Sequence, residues 1–366
     1  MSPDQCGFSV KSIFYLGGIT VRKARFHFLV AVLLLIVMAI MGCGQAAPPP
    51  EEEEEDEEPA LETVRVAAFI LVRANAWEQA KIDGMMDKIE NDGLDVELSI
   101  FSCEFDPIEQ INQIRDAITA GTYDVLAIHP QDSTGIVPVV QEALDAGLIV
   151  IGVDAPIGPN LRSLDPHPEG VTAMVGRTGW STGTWLGKAV VEAAEGLEKA
   201  KVAYLIGSQG LTIDQERFAA LEEVIKDYPH IEIAAFQEGL YRRDTSFEIM
   251  QDVFQAQPDI NIVVSSGDQM TLGAEDAAME AGLEGIFFIG NGCSIQGWEA
   301  INEKRWFGSY ADIPYTEGEI VIELAYKAAR GEQVPRSVNL EDRRPPLPPE
   351  GPMITQGNVH LFKPQW

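Results

Sequence analysis

The chain has 366 residues, 46% of them hydrophobic, and 26 Lys and Arg stand against 57 Asp and Glu, giving a net charge of −31. An acidic surface of this size repels phosphate backbones and excludes nucleic-acid binding. The apolar share excludes a mainly disordered chain, and the length beyond the first sixty residues, about 300, is enough for two lobes.

Arg22, Lys23, Arg25 and His27 precede an apolar run from Phe28 to Ile40. The run is short for a membrane span and right for the core of a signal peptide. It ends in Ile40-Met41-Gly42-Cys43, which resembles the lipobox of bacterial lipoproteins, where the cysteine is lipidated after cleavage. Met41 is larger than the residue usual at its position. Residues 1–43 are therefore expected to be a lipoprotein signal peptide with Cys43 lipidated; an uncleaved anchor is the alternative. Either reading puts the rest of the chain outside the cytoplasm, tethered to the membrane surface. Residues 44–61 contain Pro48-Pro49-Pro50 and the acid run Glu51–Glu58 and read as a stiff, solvated tether.

Beyond the tether, apolar runs of strand length recur at Val64–Ile70, Val96–Phe101, Val125–Ile128, Ile149–Val153, Val171–Val175, Val202–Ile206, Ile231–Phe236, Ile262–Val264 and Ile286–Ile289. Several are apolar on consecutive residues, as parallel strands buried on both faces are. Between them the spacing predicts helices at Trp77–Asn91, from Asp106-Pro107 through Ile118, and at Ile136–Ala146, Thr182–Leu197, Ile213–Tyr228, Asp244–Ala256, Met270–Ala281, Ile295–Glu303 and Thr316–Ala329. Asp106 and Pro107 suit a cap and a first turn, and glycines follow six of the helices as stops. The pattern is repeated βα, hence an α/β fold with parallel sheets. Cys103 and Cys293 read as core thiols. The Pro-rich stretch after Glu341 cannot form a central strand. It is expected to wrap over the lobes and end in a short strand near Val359–Phe362.

Parallel sheets bind ligands at the carboxyl ends of their strands. There the sequence places Arg73, Asn75 and Trp77 after the first strand, His129 after the third and Asp154 after the fourth. Arg177 and Trp180 follow the fifth, Arg217 lies in the helix after the sixth, and Tyr241 follows the seventh. Asp268 and Asn291 follow the eighth and ninth, and Asp312 lies beyond Gly308. Carboxylates, arginines and amides give directional hydrogen bonds to hydroxyls, and aromatic faces cover the C–H face of a sugar ring. Trp77 could instead pack in a core, Arg217 could pair with Asp214 or Glu216 on its helix, and Asp268 reads chiefly as a helix cap. No metal or cofactor is expected, since no Cys/His cluster, P-loop or dinucleotide motif is present.

The ordered series Asn75-Ala76-Trp77, Lys81-Ile82-Asp83-Gly84, Asp106-Pro107, Ile128-His129-Pro130-Gln131-Asp132, Ile149–Asp154, Arg217, Gly267–Ala274 and Ile289-Gly290-Asn291-Gly292 resembles the type I periplasmic sugar-binding proteins that serve ABC importers. The resemblance implies two Rossmann-like lobes joined by three hinge strands. The first lobe would take 62–177 plus 313–340, the second 178–312 plus 341–366. It also implies a monomer that closes on a sugar or sugar-like molecule and presents it to a membrane permease. Asn75, Trp77, Asp154, Arg217, Tyr241 and Asp312 match its ligand positions. The pattern is broken at Ala155, where an arginine is expected, at Gly267, at Gly292 and at His129. Arg73, Arg177 and Trp180 are candidates for replacing the lost contacts. Two rival readings remain: a sensory binder presenting ligand to a kinase or chemoreceptor, and a glycosidase built on Asp154 and Asp312. The second lacks any nucleophile or metal motif.

Overall fold

The computed structural model describes residues 63–366; the expected signal peptide, Cys43 and the tether lie outside the described residues. The chain opens with β1 (Val64–Ile70), α1 (Ala76–Asn91), β2 (Val96–Ser102), α2 (Pro107–Ala120), β3 (Val125–Ile128), α3 (Val137–Asp145), β4 (Ile149–Asp154) and β5 (Ala173–Gly176). It continues with α4 (Gly179–Ala193), β6 (Ala200–Ile206), α5 (Thr212–Ile225), β7 (Ile231–Glu238), α6 (Arg243–Ala256), β8 (Ile262–Ser265) and α7 (Asp268–Glu280). Next come β9 (Phe287–Gly292), α8 (Ile295–Asn302), β10 (Gly308–Ala311), α9 (Pro314–Ala329), β11 (Ser337–Asn339) and β12 (Met353–Thr355).

These strands make two six-stranded sheets, ordered β2-β1-β3-β4-β5-β11 and β7-β6-β8-β9-β10-β12. Every pairing is parallel except that of β12 with β10. The molecule is thus α/β with two lobes, and the chain crosses between them after β5, after β10 and after β11. The consecutive apolar residues of β1, β3, β4, β6 and β8 are buried, because helices cover both faces of each sheet.

Local chemistry accounts for the element ends. The Asp106 carboxylate accepts from the N–H groups of Ile108 and Glu109 at 2.8 and 3.2 Å and caps α2, with Pro107 in the first turn. The six glycines expected as helix stops all have positive φ. Cys103 and Cys293 are buried and unpaired.

One expectation needs correction. Val359–Leu361 is a 3₁₀ turn rather than a strand. Its carbonyls are taken by a side chain: the Trp298 indole N–H donates to the Val359 and Phe362 oxygens at 3.0 and 3.1 Å. The strand of this segment is β12, and β10 was not foreseen because Gly-Ser-Tyr-Ala carries no apolar run. The Pro-rich stretch is docked: Leu347, Ile354 and Phe362 are buried.

Glycines let two helix pairs approach at backbone distance. A Cβ on Gly183 of α4 would lie 1.9 Å from the Arg217 carbonyl oxygen of α5. A Cβ on Gly318 of α9 would lie 2.1 Å from the Lys81 oxygen of α1, and one on Gly84 2.0 Å from the Tyr315 oxygen. These contacts fix the depth at which Arg217 and Lys81 sit. Gly183→Ala is expected to cost about 1–3 kcal/mol in urea denaturation, because backbone must move to admit the methyl group. An unchanged midpoint would mean that the two helices are not held this tightly.

Candidate functional site

A cavity lies between the lobes at the carboxyl ends of their strands, where parallel sheets place ligands. From the first lobe it is lined by Asn75, Trp77, Glu78, Phe105, His129, Asp154 and Arg177. The second lobe and the crossings contribute Arg217, Tyr241, Gln269, Asn291, Asp312 and Trp366. The lobes touch beside it. The Phe105 and Tyr241 rings stack with centroids 6.2 Å apart and 9° between their planes. The Ser133 N–H donates across to Thr212 Oγ1 at 3.4 Å, and Leu71 and Ala155 pack with Leu211 and Ile213. The two lobes are closed over the cavity.

Its floor is charged and buried. Arg177, directly after β5, donates through one terminal nitrogen to Asp154. Its Nε faces Asp312 Oδ1 at 2.8 Å, and its other terminal nitrogen donates to Asp312 Oδ2 at 3.0 Å. Asp154 has a φ of 64°, a left-handed conformation uncommon outside glycine, and its carbonyl accepts from the Arg177 N–H at 3.0 Å. Its other carboxylate oxygen lies 3.0 Å from His129 Nε2. Burial pushes the Asp154 carboxyl up, but Arg177 and His129 outweigh it and hold the group well below the usual range. Asp312 moves the other way: burial raises it and Arg177 only partly opposes. Both carboxylates share one guanidinium.

Behind this floor stands a second layer. Lys81 is fully buried, 3.3 Å from Glu78, 3.5 Å from Glu317 and 3.4 Å from His129 Nδ1, with its ammonium 4.0 Å from the Trp77 ring centre. Burial pushes Glu317 up to about 7, Lys81 and Arg177 pull it down and Asp154 raises it. Burial and Lys81 lower the His129 imidazole, yet Asp154 and Glu78, one near each ring nitrogen, raise it above its ordinary value.

The opposite wall is built on α5. Arg217 pairs with Asp214, which also accepts from the Tyr241 hydroxyl at 2.7 Å and the Ser208 N–H at 2.8 Å. Arg217 therefore has the helix partner considered from sequence and also lines the cavity. Asn75 both caps α1, accepting from the Trp77 N–H at 2.8 Å, and lines the cavity. Asn291 donates to the Ser266 carbonyl at 2.9 Å. Three buried atoms of lining residues have no protein partner: the Trp77 and Arg217 Nε donors and the Asn291 Oδ1 acceptor.

Nine of the residues singled out from sequence thus meet at one cavity: Asn75, Trp77, His129, Asp154, Arg177, Arg217, Tyr241, Asn291 and Asp312. Arg73, Trp180 and Asp268 do not line it. Arg73 is exposed and donates to the Ile100 carbonyl at 2.7 Å. The Trp180 ring is covered by the Arg162 guanidinium at 3.2 Å. Asp268 is not a cap either, since the cap position of α7 is Gly267. Its carboxylate accepts from the Ser294 N–H and hydroxyl at 2.6 and 2.8 Å and from the Ser309 hydroxyl at 2.8 Å, tying the start of α8 and β10 to α7. Sequence reasoning passed over Glu78, Glu317, Phe105 and Trp366. A signal existed for two of them: Glu78 lies on the buried face of α1 with Ile82 and Met85, and Glu317 on that of α9 with Ile320, Val321 and Leu324.

Two sheets of mostly parallel strands with a polar and aromatic cavity at the crossings make a two-lobed α/β fold suited to holding a small solute. The periplasmic binding protein domain family matches residues 66–333, and the chain belongs to that family, whose members are extracytoplasmic binding proteins. The chain is 26% identical over 245 residues to the ribose import binding protein RbsB of Escherichia coli, covering 67% of this chain and 78% of that protein. It is 30% identical over 213 residues to the galactofuranose-binding protein YtfQ of the same organism, covering 57% and 64%. Among solved structures it resembles an ABC transporter solute binding protein from Bacillus halodurans with bound myo-inositol. That match has a TM-score of 0.71 at 20% identity and covers 83% of this chain and 98% of that protein. Among the described residues no helix is long and apolar enough to cross a membrane.

The buried layer gives a pH expectation. Glu317, with a pKa raised to about 7, and Asp268, raised by burial to about 6, hold protons in the folded state that the unfolded chain releases. Their contribution to stability is present at low pH and is lost as pH rises through the folded values. His129, also raised, adds in the same direction. The melting temperature is expected to fall between about pH 5 and pH 8, and Glu317→Gln to flatten that slope. A slope unchanged in the variant would remove Glu317 as its source.

Proposed function

We propose that this chain captures a sugar or sugar-like polar solute between its lobes and delivers it to an ABC importer. The observation that carries the reading is the cavity itself. Buried carboxylates, two arginines, an imidazole and an amide face one space together with aromatic rings, and three of its polar atoms lack a protein partner. Such atoms are stabilised by hydroxyl groups of a solute, and the rings suit the C–H faces of the same molecule. The ligand contacts in this reading are Asn75, Trp77, His129, Asp154, Arg217, Tyr241, Asn291 and Asp312, with Arg177 added. Family membership and the ribose- and galactofuranose-binding relatives support the sugar class.

Capture works by closure. To turn a mostly open population into a mostly closed one, the solute must favour the closed form by about 5 kcal/mol. Only contacts reaching both lobes supply this, such as Asp154 on one side and Arg217 on the other. Lipidation at Cys43 would keep the binder near its permease, with residues 44–61 as the tether.

The test is a thermal-shift panel of sugars, sugar acids, polyols, nucleosides and amino acids on the soluble part. Solute at a hundredfold over its dissociation constant adds about 2.7 kcal/mol, a clear shift. A response to sugars or polyols is expected. A folded protein that responds only to nucleosides or amino acids would overturn the substrate class. Arg217→Ala is expected to weaken the responding solute by about 1–3 kcal/mol in calorimetry, because its buried charge-assisted contact is lost. Equal affinity would remove Arg217 from the site.

A further inference from the structure

Trp366 is distant in sequence from every other residue of the cavity, and it is held there by a series of bonds. The segment leading to it is anchored by buried Phe362, and the Trp298 indole holds the carbonyls of Val359 and Phe362. Gln365 accepts from the Thr316 N–H at 3.1 Å and donates to the Thr316 hydroxyl at 2.8 Å, at the start of α9. The Trp366 carbonyl accepts from the Ile295 N–H at 2.7 Å, and its indole N–H donates to the Gly292 carbonyl at 3.1 Å. Main chain and ring are therefore both fixed.

The ring fills a place the local backbone leaves open. Gly292 ends β9 with a φ of 120°, and a Cβ built on it would lie 2.3 Å from Cζ2 of Trp366. A side chain at position 292 and the indole at 366 exclude each other. With its only N–H given to Gly292, the indole offers the cavity an apolar π-face and no donor. Its neighbours in the cavity, Asn291 and Asp312, are polar. The wall at this point thus joins hydrogen-bonding groups to one flat apolar surface.

We propose that Trp366 is a specificity-determining residue, its indole covering an apolar C–H face of a ring-shaped polyhydroxylated solute that Asn291 and Asp312 hold by its hydroxyls. The inference rests on the sugar-class reading above. It predicts a preference for solutes that present C–H groups on the side facing Gly292.

The test is calorimetric titration of the wild-type chain, Trp366→Ala, Trp366→Phe and Trp366→Leu with D-ribose, D-galactose, D-allose and myo-inositol. The expected result is that wild type binds at least one of them, that Ala weakens it by about tenfold or more, and that Phe stays within about threefold. If wild type binds and Ala binds equally well, Trp366 is not a contact and the proposal fails alone. If the folded wild type binds none of the four, the same variants are titrated with the solute that responds in the thermal-shift panel; no response to any sugar, sugar acid or polyol of that panel fails the sugar-class reading and takes the proposal with it. Should the Ala variant not fold, Leu decides. Weakening by Leu with retention by Phe supports the π-face, whereas equal binding by both overturns it.

Discussion

The structure turns on one guanidinium. Arg177 stands where the chain first leaves the first lobe, and Asp312 where it returns after β10. Asp154 ends the neighbouring strand. Three side chains that are nearly inaccessible to water are therefore charged and mutually paired at the crossings. Taking such charges out of water is costly, and only their close pairing offsets it; removing one partner leaves the others uncompensated. In a rotation of one lobe about the crossings, atoms near the axis move least. The bridge ties the end of β5 and the end of β4 to the segment that follows β10. His129, Lys81, Glu78 and Glu317 extend the same network into the first lobe.

Much of the fold was legible because its physics is local. Runs such as Val125–Ile128 and Ile262–Ser265 are apolar on every or nearly every residue, and only a parallel strand between helices buries both faces. Helices with a polar cap and a glycine stop announced their ends. β10, β11 and β12 were not legible, since three or four mixed residues carry no period and their pairing is decided by distant strands.

The site was legible where strand ends place residues, as with Asp154, His129 and Asn291. It was not legible where side chains choose partners across the fold. Arg73 and Trp180 stand near strand ends too, but one finds the Ile100 carbonyl and the other the Arg162 guanidinium. Asp268 has the composition of a cap and serves instead as a buried acceptor for two serines. Trp366 had no local signal, because its place depends on the absence of a side chain at position 292.

β11 and β12 have a consequence for the life of the chain before it is complete. Each is three residues long, and each covers the otherwise bare flank of a sheet, β5 in one lobe and β10 in the other. An uncovered flank offers a row of amide and carbonyl groups to any passing strand, including one from another copy. The residues that shield these flanks come after position 336, behind nearly all of the rest of both sheets. A nascent or clipped chain ending before them would carry two adhesive margins. Covering of these two flanks thus depends on short strands far in sequence from the strands they pair with.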